Sequence, residues 1–159
     1  MKPQEMILAL SKGEFDAQLK AVYVTDSAVE LQRARYIDLV NEFVRVFDDE
    51  RDVIITSAPG RTEVCGNHTD HNNGKVLAAS INLDAIAVCA KNEDGIVRVK
   101  SKGHAMNVVD ICELLPSEKE FGRSTAMVRG VVAKIAEMGY KICLLYTSDA
   151  ADDKAPVDL

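Results

Sequence analysis

A β-branched run, Val53-Ile54-Ile55-Thr56, and an apolar run, Val76–Ile81, enclose a stretch that carries Arg61, His68, Asp70, His71 and three asparagines, punctuated by Gly60, Gly66 and Gly74. This order constrains the fold more than any other feature of the chain. It calls for a strand, a polar loop and a second strand, because a run of polar side chains belongs at the rim of a sheet rather than inside it. The apolar flanks fix the ends of the loop. The glycines let the backbone turn tightly or approach a ligand closely.

The periodicity differs on the two sides of this segment. Residues 1–50 read as a helical lead. Glu14–Val22 is a short amphipathic helix and about Val29–Phe47 a longer one, with Tyr36, Val40, Phe43, Val44 and Phe47 on one stripe and Ser27 as its N-cap. Asp48-Asp49-Glu50 reads as a solvated connection. Beyond the loop, Leu83–Ser101 has the pattern of a hairpin turning at Lys91–Gly95, with Val97 and Val99 alternating against Arg98 and Lys100. Met106–Ile111 is a further strand. Ser124 is placed to cap a helix with the stripe Val128, Val131, Val132, Ile135 and Met138, and Gly139 stands just past its end. Helices, then strands, then a helix give an α+β class: a helical lead, a mostly antiparallel or mixed sheet, and a packed helix.

With 159 residues, 47% hydrophobic and 28% charged, the chain has the composition of one folded domain. A net charge of −6 with no block of Lys or Arg points away from nucleic acid and from a polybasic membrane patch. No apolar run approaches the ~20 residues of a membrane span. The apolar stretch after Met1-Lys2-Pro3-Gln4-Glu5 is shorter than the roughly 7–15 residues of a signal-peptide core. Cys65, Cys89, Cys112 and Cys143 form no C-x-x-C pair and read as reduced, buried thiols. These features describe a cytoplasmic protein.

His68 and Asp70 lie two residues apart, a spacing that puts both side chains on one face of an extended segment, and a loop can turn Asn67 inward beside them. A carboxylate, an imidazole and an amide suit a polyol, whose hydroxyls each donate and accept. Arg61 adds a rigid positive fork for phosphate oxygens or a carboxylate. A sugar with a phosphate fits this group. Taken singly the residues say less: Asn72-Asn73-Gly74 reads as a turn, His104 as a surface loop residue, and Arg98 with Lys100 as a solvated face. The ordered set of Arg61, Gly66, His68, Asp70 and Gly74 carries the reading.

Ser57-Ala58-Pro59-Gly60-Arg61, Gly66-x-His68-Thr69-Asp70-x-Asn72-x-Gly74 and Val76-Leu77 together resemble the galactokinase signature of the GHMP sugar-kinase superfamily. The resemblance implies the N-terminal part of a GHMP-kinase-like domain. It implies that Arg61 is the active-site arginine, beside the catalytic aspartate and the transferring phosphoryl group, and that Asn67, His68 and Asp70 bind galactose. Asn67 stands where the family pattern has Glu, Glu63 where it usually has Asn, and His71 where Tyr is frequent. At Asn67 a donor–acceptor amide replaces an acceptor-only carboxylate, which leaves the sugar epimer open.

The resemblance also implies ATP and Mg2+, held by a second motif rich in Gly and Ser and by a catalytic aspartate further on. The nine glycines of this chain are scattered, and no two make such a loop, so those binding residues are absent from it. The expectation is a part of a galactose kinase that is inactive alone. A non-catalytic galactose-binding sensor on the same scaffold is the alternative.

His68-x-Asp70-His71 also resembles the core of the metallo-β-lactamase signature. That signature has another His where Gly66 stands, and His104 alone remains to complete a shell that normally needs three or four ligands, so no metal site is expected. Cys143–Asp153 matches, residue for residue, the translation of a common transposase-type sequencing-library adapter, although Cys143–Tyr146 also has the composition of a native strand. Residues 143–159 are therefore expected to be a non-native tail with no place in the core. That leaves residues 1–142 as an incomplete N-terminal domain, with a helical lead over 1–50 and a sheet with the active-site loop over 51–142.

Overall fold

The structure, a computed structural model, describes residues 1–47, 51–66 and 73–140, and the backbone of 144–151. Three helices lead: α1 (Pro3–Ser11), α2 (Asp16–Tyr23) and α3 (Asp26–Phe47). The short α1 has no counterpart in the periodicity reading. Pro3 opens it at a position where its missing N–H costs nothing, and the Lys2 N–H donates to Glu5 Oε2 at 3.0 Å. Thr25, not Ser27, caps α3, because its hydroxyl accepts the Ala28 N–H at 3.2 Å while Ser27 lies within the first turn. The stripe of α3 is Val29, Tyr36, Leu39, Val40 and Phe43, all buried, with Phe47 packed at its edge.

Four strands precede the last helix: β1 (Val53–Cys65), β2 (Leu77–Asn92), β3 (Ile96–Ser101) and β4 (Asn107–Asp110). The last helix, α4 (Ser124–Glu137), is followed by β5 (Leu144–Ala151). They form one sheet in the order β1-β2-β5-β3-β4, antiparallel throughout except that β5 and β3 run parallel. The expected Leu83–Ser101 hairpin is therefore corrected. β2 and β3 are joined by a tight turn in which the Ile96 N–H donates to Asp94 Oδ1, yet β5 lies between them. Residues 144–151, for which the sequence predicts no place in the core, form β5 within the sheet. Strand pairing is made by main-chain groups and asks of a segment only that it be extended and of the right length. Asp48-Asp49-Glu50 lies outside the described residues.

Two apolar clusters hold the layers together. The larger packs Met6, Leu10, Leu19, Tyr23 and the α3 stripe onto Val53, Ile86, Val88 and Ala90 of β1 and β2. The smaller packs Val132 of α4 onto Val97 and Val109, with Val128 at its edge. Of the expected α4 stripe, Val131, Ile135 and Met138 are exposed, because the helix presents only its Val128–Val132 side to the sheet. Ser124 opens α4 and donates to Asn107 Oδ1 on β4 rather than capping the helix. The end of α4 follows expectation. Gly139 takes φ +84, its N–H reaches the Ala136 carbonyl, and the Tyr140 N–H reaches that of Ile135, the paired bonds of a Schellman close. Arg129 staples the connection before α4, forking onto Glu120 at 2.7 and 2.9 Å and onto the carbonyls of Asp110 and Glu113.

Candidate functional site

The inner half of the β1–β2 pair packs one face beneath the helices, and the outer half does not. β5 pairs with β2 only over Ala85–Asn92, so Leu77–Asp84 bonds to β1 alone. Along this outer ribbon Ser57–Pro59 and Arg61–Cys65 on β1 are exposed, as are Leu77–Ser80, Asn82 and Leu83 on β2. The ribbon is an arm that extends beyond the part of the sheet covered by the helices.

Arg61 lies in this arm, within β1 and opposite Ser80, and not in a loop. The expected polar loop from residue 58 is thus corrected. Antiparallel pairing continues to Cys65, because open faces on both sides let polar Arg61, Thr62 and Glu63 occupy strand positions without burial. The pairing is irregular beside Arg61. Pro59 faces Asp84 and Arg61 faces Ser80, so Gly60 alone stands opposite Ile81, Asn82 and Leu83. A Cβ on Gly60 would meet Ile81 Cγ1 at 3.1 Å and the Leu83 carbonyl at 3.2 Å, so the bulge closes tightly only on a glycine.

At the end of the arm Gly66 adopts φ +104, and a Cβ there would lie 2.5 Å from the Lys75 carbonyl. The loop glycine is required on both counts. On the return side Asn73 takes φ 58, a left-handed conformation that asparagine tolerates, and Gly74 follows it exposed. Asn67, His68 and Asp70, with His71 and Asn72, lie outside the described residues. The structure thus brings Arg61, Gly60, Gly66 and Gly74 onto one arm.

Cys89 is buried and Cys65 and Cys112 are exposed, which corrects the expectation of uniformly buried thiols. Burial raises the Cys89 thiol above its ordinary range, and a hydrogen bond with Thr56 pulls partly back. Among the described residues no cluster of three or more His, Cys, Asp or Glu side chains could hold a metal, and no helix is long and apolar enough to cross a membrane. Two clefts lie away from Arg61. One sits between α2 and α3 around the Asp16–Arg33 ion pair, and the other is at the start of β1 beside Cys89 and Asn92.

The polar centre that the sequence reading missed is Asp84, at the inner shoulder of the bulge. Its side chain is 4% exposed and its ion-pair partner Arg35 17%. Arg35 donates to Asp84 Oδ1 at 2.6 Å and to the Asp84 carbonyl at 2.7 Å. Tyr23 donates to Oδ2 at 2.6 Å, and the Ser57 hydroxyl donates to the same oxygen. The Tyr36 hydroxyl lies 3.0 Å from that of Tyr23. Burial pushes the Asp84 carboxyl up, but hydrogen bonds from Ser57, Tyr23 and Arg35, with the Arg35 charge, together hold it below the usual carboxylate range. Burial and the bond to Asp84 push the Tyr23 phenol far above its ordinary value.

Against this geometry stand two likenesses. A family model of the galactokinase galactose-binding signature matches residues 41–91, from the second half of α3 through the arm and into the buried part of β2. The fold superposes on the crystal structure of Lactococcus lactis galactokinase complexed with galactose, with a TM-score of 0.62 and 25% sequence identity. The match covers 72% of this chain and 30% of that galactokinase. The class these findings define is an α+β unit similar to the N-terminal region of a galactokinase. The chain is galactokinase-related.

Proposed function

We propose that this chain is the sugar-loop part of a GHMP-type galactose kinase, working in the cytoplasm, in which the β1–β2 arm presents the sugar site. Asp70 and His68, with Asn67, hold the hydroxyls of galactose or a close analogue, each able to pair with a mixed donor and acceptor. Arg61 supplies a fixed guanidinium for phosphate oxygens. The observation that supports this reading is the coincidence of the galactokinase galactose-binding signature with the arm and its glycine-closed loop.

ATP and Mg2+ do not fit the described residues, which offer neither a metal cluster nor a glycine-rich phosphate cradle, so no step is assigned through them here. The test is galactose 1-phosphate formation from galactose and ATP by a complete protein that carries residues 1–142. Turnover by that protein, with none by residues 1–159 alone, is the expected result. In the complete protein Arg61→Ala should lower kcat more than it raises KM for galactose, since its charge matters most as phosphoryl charge develops. Galactose binding without turnover would instead identify a sensor on the same scaffold.

A further inference from the structure

The bulge beside Arg61 is an unusual place to find secure register. The outer arm has only two strands, both largely exposed, and such ribbons slip readily. A slip of one residue would turn Arg61 to the opposite face. What lies at the inner shoulder of the bulge is Asp84, opposite Pro59 and two residues along β1 from Arg61's own position. Four elements converge on it: α2 through Tyr23, α3 through Arg35, β1 through Ser57, and β2 through its own backbone. Tyr23 is itself held by a strained turn. Val24 takes φ 71 and ψ −48, and the Thr25 N–H reaches back to the Tyr23 carbonyl at 2.8 Å, the closed three-residue turn that non-glycine residues rarely adopt. Strain of that kind persists where the surroundings over-determine it.

We propose that Asp84 is a positioning residue, a buried clamp that ties the arm to the helical layer and fixes the register that aims Arg61. The carboxylate suits the task because it accepts from several donors at once, and the register that places Asp84 opposite Pro59 brings Ser57 within reach of it. Asp84 acts through the bulge. The functional meaning rests on the reading of Arg61 as the active-site arginine, but the register itself can be measured without any activity.

The experiment is solution NMR on the 159-residue chain, reading cross-strand contacts between Arg61 and Ser80 and between Thr62 and Ala79, with amide exchange over residues 60–62. The wild type should show both contacts. Asp84→Ala should lose them, while Asp84→Asn, which keeps the shape and part of the hydrogen bonding, should retain them in part. Ser57→Ala removes only the link to β1 and decides the matter if Asp84→Ala fails to fold. It should speed exchange over 60–62 about tenfold or more, with exchange at Leu39–Phe43 unchanged. Unaltered contacts and exchange in folded Ser57→Ala, or in folded Asp84→Ala, would overturn the clamp. A clamp that behaves as described in a protein whose turnover ignores Arg61→Ala would stand, and the kinase reading of Arg61 would fall.

Discussion

A carboxylate as buried as that of Asp84 is stable in its charged form only because every near neighbour donates to it. Removing one partner of a buried pair leaves the other uncompensated, so Asp84→Ala and Arg35→Ala should each cost about 3–5 kcal/mol in urea unfolding. The sign of the pH dependence follows from the same contacts. The folded-state value of Asp84 lies below its unfolded value, so its contribution is present above pH ~3.9 and is lost as pH falls through the folded value. Tyr23 behaves in the opposite sense. Its folded value is raised, so its contribution is complete below pH ~10 and is lost above it. Asp84→Asn should flatten the acid limb of the stability profile and Tyr23→Phe the alkaline limb; unchanged limbs would show that these groups do not titrate with unfolding. None of this was legible in the sequence. An aspartate between Leu83 and Ala85 looks like an outward strand position, and its partners at 23, 35 and 57 are brought to it only by three other elements. The galactokinase-like signature was legible because its chemistry is contiguous.

Elements with a clear period were read well. α3 and α4 stand close to where their stripes put them, and Gly139 closes α4 as expected. α1 was missed because its run Met6-Ile7-Leu8-Ala9-Leu10 is apolar throughout and shows no helical period. The tight turn after Asn92 predicts a β2–β3 hairpin, since adjacency in sequence says nothing about a strand inserted from elsewhere. β1 was cut short because the polar residues of its open outer half resemble a loop. Two turns allow opposite tests at this scale. Val24→Gly relieves a backbone conformation that a β-branched residue tolerates poorly, and should raise stability by about 1 kcal/mol after the entropy cost of glycine. Gly66→Ala should cost at least ~1–3 kcal/mol, since both φ and the Lys75 carbonyl oppose it. Thermal unfolding of the two variants checks both; equal melting temperatures would contradict the turn geometry.

At the scale of the molecule, β5 joins β1–β2 to β3–β4, although the sequence places it last among the strands. Ending the chain at Ile142 should therefore uncouple the two halves. Amides of Ile96–Ser101 should exchange faster in that shorter chain than those of Val53–Ile55, which keep β2 and the helical layer as neighbours. Equal protection in the long and short chains would show that β5 contributes nothing to the sheet. On the proposed reading, the sheet and its helices hold the arm, and the arm presents the sugar-binding residues. The most direct test of that claim is the galactose dissociation constant of the complete protein, with and without Asp70→Ala. A hydrogen bond to a charged group is worth on the order of 1.5–3 kcal/mol, so the substitution should weaken binding about tenfold or more. An unchanged dissociation constant in a folded Asp70→Ala protein would contradict the sugar-loop assignment.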